Sequence, residues 1–151
     1  MTIFHGFNTS ASALTSQRLR MDVVSANMAN ADSTRAQMVD GEWQPYRRKM
    51  VVMQPNEGQP FSHFLSQAKS TNTQVGNGVK VTGIINDTTP FKQVYNPEHP
   101  DANELGYVQM PNVDPLREMI DLMSATRSYE ANVTTLNASK NMLLKALEIG
   151  K

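Results

Sequence analysis

The sequence predicts an α+β protein: long N- and C-terminal helices packed as a coiled-coil-like pair, with a small β-rich domain and a long loop between them. Three observations support this fold. Apolar residues follow a heptad pattern near each terminus, the centre contains short β-branched runs separated by Pro and Gly, and residues 56–78 form a polar run rich in turn formers. We expect residues 1–35 to supply the first helix, residues 36–111 the β-rich domain, and residues 112–151 the last helix.

The first helix is predicted from apolar and small residues that recur at alternating steps of three and four over about residues 8–31. Residues 8–10 (NTS) are its N-cap candidates. Its end falls in the stretch SANMANADST, which contains neither Gly nor Pro, and Asn27 and Asn30 are expected to take the place of the usual C-terminal glycine. The residues expected on its packed seam are Leu14, Met21, Val24 and Met28.

The last helix has clearer boundaries. Asp114 is a predicted N-cap, Pro115 stands at the first helical position, and Gly150 follows the last periodic residue. A heptad of large side chains runs through the helix, and a second series follows it four residues later. The expected seam residues are Leu122, Tyr129, Val133, Leu136, Leu143 and Leu147, and Leu116, Met119, Ile120 and Met123 are expected to extend the same face.

The centre is predicted to contain four strands, within residues 46–55, 78–87, 91–95 and 104–111. The basic run at residues 46–49 is expected to form the solvated face of the first of these strands. Residues 56–78 are predicted to be a long loop with a short helical turn around residues 61–67.

Composition excludes several functional classes. The chain has no cysteine, so disulfides and thiolate sites are excluded, and its formal net charge of zero gives no field for steering toward nucleic acid. No apolar run approaches a membrane span, and the N-terminus lacks the features of a cleaved signal peptide. We predict no catalytic residues, no cofactor and no metal, although His99, Asp101 and Glu104 leave a hard-metal site as an alternative.

Polar residues interrupt both heptad seams. Arg18, Ser25, Thr126, Ser139 and Lys140 lie at or beside core positions, where they weaken an isolated coiled coil while fixing its register and partner. The chain also contains ten methionines, a residue type that adapts to irregular interfaces. The pattern favours a subunit that completes its packing in an assembly, with helix ends that become ordered there.

Two stretches resemble the axial proteins of the bacterial flagellum, a family of rod, hook and filament-cap subunits, and within it the proximal-rod members. The first is SANMANADST. The second runs from residue 94 to 150 and contains the blocks YNPEHPDA, GYVQMPNVD and RSYEANV. The residues of this sequence that carry the family motif are Asn27, Asn30, Tyr95, Asn96, Pro97, His99, Pro100, Asp101, Gly106, Tyr107, Pro111 and Asn112.

The resemblance implies a structural role. The terminal helices would form the inner coiled-coil layer of a tubular rod around an export channel, with the β-rich domain outside. The implied partners are copies of the chain, other flagellar rod proteins, the basal-body adaptor that links the rod to the motor base, and the type III export apparatus. The implied location is the basal body, outside the cytoplasmic membrane, reached without a cleaved signal peptide. Two other classes stay open: a metal-dependent hydrolase, and a coiled-coil adaptor or secreted effector that forms a discrete oligomer.

Overall fold

The computed structural model describes residues 4–39, 41–56 and 77–150. Along the described chain, six short strands lie between two long helices. In sequence the elements are α1 (Phe4–Ala29), β1 (Gln37–Val39), β2 (Glu42–Gln44), β3 (Lys49–Pro55), β4 (Val79–Asn86), β5 (Lys92–Tyr95), β6 (Tyr107–Met110) and α2 (Pro115–Ile149). The predicted loop over residues 56–78 falls largely, and its helical turn around residues 61–67 entirely, outside the described residues.

Helix α1 begins at Phe4, four residues before the predicted start, so the proposed N-cap residues lie inside it. Their side chains are accommodated there because they bond to the preceding helical turn: the Thr9 hydroxyl donates to the carbonyl of His5 over 3.0 Å. The helix ends at Ala29, within the predicted stretch. The N–H of Asn30 donates to the carbonyls of Ala26 and Asn27, which closes the last turn without glycine.

The strands form three separate two-stranded sheets, paired β1–β2, β3–β4 and β5–β6. The antiparallel β1–β2 hairpin was not predicted, and Gly41 at its turn has a φ of 87°. Strands β3 and β4 also run antiparallel, because the backbone bonds Asp87 to Arg48 at one end and Asn56 to Gly78 at the other. In β5–β6, Tyr95 lies opposite Tyr107.

Helix α2 extends over 35 residues from the predicted Asp114-Pro115 start. The Asp114 carboxylate accepts from the N–H of Leu116 over 3.1 Å, and its carbonyl accepts from the N–H of Glu118 over 3.0 Å. These bonds satisfy amides of the first turn. Pro115 has no N–H to satisfy, which suits the first helical position.

The chain divides into two compact units, and both helices and the β3–β4 pair contribute to each. The first comprises Met1–Arg18, Met53–Thr82 and Arg127–Lys151, and the second Leu19–Val52 and Gly83–Thr126. In the first unit, Ser12 of α1 accepts a bond from the N–H of Val79 over 3.1 Å, which holds the start of β4 on the helix.

In the second unit, α2 packs against α1, as the α+β prediction required. Arg20 of α1 bonds Asp121 of α2, and Asn27 of α1 bonds Glu118 of α2. The later residue of α1 thus meets the earlier residue of α2. The helices are therefore antiparallel, which resolves the orientation that the heptad pattern left open. Apart from its prolines, the buried apolar side chains described in this unit are Val23, Val24, Val108, Val113 and Ala125.

Candidate assembly site

The end of α1 is fixed by the side chain of Asn27, which is fully buried. Its amide nitrogen donates to the carbonyl of Lys49 and to Glu118, each over 2.9 Å. Its amide oxygen accepts from the N–H of Lys49 over 2.9 Å and from the hydroxyl of Tyr46 over 3.1 Å. Both donors and both acceptor positions of the amide are thus used, and the Asn joins α1, β3 and α2.

Glu118 is also fully buried, and its charge is matched by Arg48. The guanidinium Nε donates to Oε1 of Glu118 over 2.5 Å, while the other nitrogens reach Asp121 at 3.2 Å and Asp87 at 3.5 Å. A second arginine, Arg20, bonds Asp121 over 2.9 Å. The junction therefore contains three carboxylates and two guanidinium groups, linked by hydrogen bonds.

The burial of Arg48 corrects the expectation that residues 46–49 form a solvated face. Arg48 immediately precedes β3 and is only 7% exposed. Its backbone N–H donates to Oδ1 of Asn112 over 2.7 Å, and the Asn112 amide donates in turn to the carbonyl of Thr89. The sequence carried no signal for this arrangement, because the partner carboxylates are distant in the chain.

The electrostatics of the junction favour its charged form. Burial lowers the pKa of Arg48, but the hydrogen bond and charge of Glu118, together with Asp121, raise it above its ordinary value. Burial and the charge of Glu118 raise the pKa of the Tyr46 hydroxyl above 10.0. Hydrogen bonds from Thr89 and the charge of Arg48 lower the pKa of Asp87.

The segment between β5 and β6 bonds back to the residues that follow α1. The Thr34 hydroxyl donates to Asp101 over 2.7 Å and the Arg35 Nε over 2.6 Å, and these bonds lower the pKa of Asp101. The N–H of Asp101 donates to Nδ1 of His99 over 3.1 Å. Asp101 thus forms an ion pair with Arg35. Within the described part of the chain, no group of three or more metal-ligating side chains lies together.

The other family-motif residues in this region set the course of the chain. Gly106 has a φ of 79°, and a Cβ there would lie 2.9 Å from the Tyr95 ring. Tyr95 meets Tyr107 edge to face, with ring centroids 5.3 Å apart. The N–H of Asn96 bonds the carbonyl of Gly106 over 2.9 Å. Pro111 is buried, whereas Pro97 and Pro100 are exposed in the turn.

The predicted seam residues differ in exposure. In α1, Val24 is buried and Leu14, Met21 and Met28 are half-buried. In α2, Leu147 is 71% exposed. The remaining α2 seam residues are half-buried: Leu122, Tyr129, Val133, Leu136 and Leu143.

Four apolar side chains at the start of α2 point away from its packed side. They follow the spacing i, i+3, i+4 and i+7, and lie opposite the buried Glu118 and Ala125 on the helix. We call this set the α2 stripe: Leu116, Met119, Ile120 and Met123, with exposed fractions of 72, 47, 64 and 54%. Met119 lies seven residues before Thr126 and so continues the predicted face, but the stripe as a whole is centred about a third of a turn from the Leu122 heptad. The expectation that all four residues extend the heptad face is therefore wrong.

The sequence reading also missed the residues at the centre of the packed α2 face. Glu118 and Ala125 lie seven residues apart and are both fully buried. Asn132 and Ser139 continue the same series and are half-buried. This series of small or polar residues, spaced seven apart beside the Leu122 heptad, was the sequence pattern that could have identified the packed face.

In the described part of the chain, no helix is both long and apolar enough to cross a membrane.

Comparison with known proteins assigns these features to one family. A family model described as flagella basal body rod protein matches residues 7–37, and one described as flagellar basal body rod FlgEFG protein C-terminal matches residues 104–149. The chain is 63% identical to the flagellar basal-body rod protein FlgC of Bacillus subtilis over the full length of both. It is 40% identical to that of Borreliella burgdorferi, covering 99% of this chain and 98% of the relative, and 44% identical to that of Escherichia coli O157:H7 over both full lengths. The chain belongs to the FlgC family of flagellar basal-body rod proteins.

Proposed function

We propose that this chain polymerises with copies of itself and with other rod proteins into the tubular axle that surrounds the export channel and transmits torque. As a member of the FlgC family it is a structural rod subunit of the flagellar basal body and not an enzyme. The observation that carries the proposal is 63% identity to a rod protein over the entire length of both chains.

The α2 stripe supports an assembly role from the geometry. Four large apolar side chains within two helical turns, each about half exposed or more, are costly to leave in water at ~25 cal/mol per Å². The packed side of α2 already meets α1 in the same unit, so the stripe is available to a neighbouring subunit. We assign the predicted seam residues with substantial exposure, such as Leu147, to the same kind of contact.

The finer arrangement follows from the resemblance to the axial proteins. The terminal helices would form the inner layer of the tube and the β-rich residues 36–111 the outer layer. The basal-body adaptor and the type III export apparatus are the further partners proposed. Export through that apparatus would place the subunit outside the cytoplasmic membrane without a cleaved signal peptide.

The test compares two aspartate variants of α2 as the only copy of the protein in a flagellated host. Ile120→Asp places a charge in the stripe, where association would bury it unpaired at a cost of several kcal/mol. Ser124→Asp adds the same charge one turn later, at an exposed position about a quarter of a turn from the centre of the stripe. We expect the first variant to abolish swimming and rod assembly in electron micrographs of basal bodies, and the second to retain both.

Two controls separate assembly from folding and export. Ile120 is 64% exposed, so the urea midpoint of the purified Ile120→Asp variant should match that of the parent. Secretion of the unassembled subunit into the medium would show that export is intact. Normal rods built from the Ile120→Asp variant would refute the role of the stripe.

A further inference from the structure

An open groove lies in the second unit, away from the α2 stripe. Its walls are strand β2, strand β6 and the turn that leads into β6, and its volume is about 530 Å³. Small-molecule sites commonly span about 300–1,000 Å³. The ion pair between Arg35 and Asp101, joined by the Thr34 hydroxyl, closes one side and fixes the turn to the residues that follow α1.

The groove is lined by a partly exposed tryptophan. Trp43 of β2 lines it, and its side chain is 55% exposed, although Trp is among the costliest residues to leave in water. Tyr107 of β6, 43% exposed, lines the groove as well. Aromatic rings of this kind offer an apolar face and a polar edge to the same ligand.

The groups around Trp43 are planar and polar. Gln109 lies in β6 two residues after Tyr107, so these two side chains are on the same side of that strand. Glu42 and Gln44 also line the groove, but as the neighbours of Trp43 in β2 their side chains are directed to the face opposite its ring. The carboxamide of Gln109 supplies donors and an acceptor within one plane. The asparagine of the turn, Asn103, also lines the groove, but its oxygen already accepts from the N–H groups of Leu105 and Tyr107.

We propose that this groove binds a short oligosaccharide. A pyranose ring has one face of C–H groups, which stacks on an aromatic ring, and a rim of hydroxyls, which pairs with carboxylates and amides. Trp43 would supply the stacking face, while the amide of Gln109 would bond the hydroxyls. A protein partner is the less suitable occupant, because the centre of a protein interface is depleted in charge, whereas Arg35, Glu42 and Asp101 all line this groove.

Trp43 is the only tryptophan of the chain, so its fluorescence reports on this groove alone. The full-length protein is titrated with chitotriose and, separately, maltotriose up to about 10 mM, a range that covers the weak affinity of a shallow site. We expect a saturable change in emission with at least one of the two sugars. The Gln109→Ala variant should weaken that affinity about fivefold, the effect of one lost hydrogen bond.

The matched control is Gln93→Ala. Gln93 is the cross-strand partner of Gln109 in the β5–β6 pair but does not line the groove, so its variant should bind as the parent does. Failure of both sugars to change Trp43 emission saturably would overturn the proposal. So would equal weakening by the two glutamine variants, or an emission change produced only by raising the concentration of the chain itself, which would indicate a protein contact.

Discussion

The side-chain amide of Asn27 donates a hydrogen bond to Oε2 of Glu118 over 2.9 Å, and neither residue is exposed to solvent. This pair joins the last turns of α1 to the first turns of α2. Because Asn27 also takes both backbone polar groups of Lys49, the same amide sets the start of β3. At Asn27, the end of α1 is therefore an internal junction of the subunit.

Replacement of Asn27 by Ala should destabilise the protein by about 3 kcal/mol, because it leaves the Lys49 backbone groups and one Glu118 oxygen buried without this partner. Urea unfolding followed by circular dichroism measures the change. Asn30→Ala is the control: that amide donates an exposed bond to the carbonyl of Ala26 and accepts one from the Ser33 hydroxyl, both local to the end of α1, and their loss should cost about 1 kcal/mol. Equal losses in the two variants would contradict the assigned role of the junction.

The junction also predicts a stability change at alkaline pH. The pKa of Tyr46 is raised in the folded protein by burial and by Glu118, so folding favours the protonated hydroxyl. Its contribution is fully present below the unfolded pKa of about 10 and is lost as the pH rises through the folded value. We expect the urea midpoint to fall between about pH 9 and pH 11 more steeply in the parent than in the Tyr46→Phe variant. Parallel pH profiles in the two proteins would show that Tyr46 is not coupled to folding.

Gly78 provides a separate test of how β4 is held in the first unit. Its φ is 96°, and an added Cβ would clash with the Ser12 hydroxyl oxygen of α1, the atom that accepts from the N–H of Val79. Gly78→Ala should therefore destabilise by about 2–4 kcal/mol, combining backbone strain with a displaced hydrogen bond.

Gly41→Ala is the matched control, because Gly41 has a similar φ of 87° but no atom within 4 Å of the added Cβ. The Gly41→Ala variant should therefore lose only the free energy of placing a non-glycine residue at a positive φ, about 1 kcal/mol. Thermal unfolding of both variants gives the comparison. A Gly41→Ala variant as unstable as Gly78→Ala would remove the steric part of the argument.

Local signals predicted the helices and most strands. The Asp114-Pro115 start of α2 and the strands β3 to β6 depend on capping and β-branched patterns within a few residues. The β1–β2 hairpin was missed because its strands are only three residues long, although the Asp40-Gly41 dipeptide between them is a hairpin signal.

The polar junction could not be found in this way. Arg48 bonds Glu118 and Asp121 across 70 and 73 residues of sequence, and no local pattern specifies which distant carboxylate a guanidinium meets. The direction of the α2 stripe was predicted wrongly for a different reason. At the start of α2 the packed side is centred on Glu118 and Ala125, so the large apolar residues there mark the exposed side of the helix and not the packed one.

Exposure along α2 predicts unequal protection of its backbone amides in the free subunit. Ala125 is fully buried within the second unit, whereas Leu144, Leu147 and Ile149 are 48, 71 and 85% exposed. Few buried apolar contacts mean a low local opening energy, so amides over residues 144–149 should exchange at least about 100-fold faster than that of Ala125. Hydrogen exchange of the purified monomer, followed by NMR, measures the exchange rates of both sets of amides.

The amides over residues 144–149 should become protected in assembled rods, since neighbouring subunits would cover the exposed side chains. Protection over residues 144–149 equal to that at Ala125 in the monomer would show that the helix end is ordered before assembly, and that rod formation adds contacts without ordering α2.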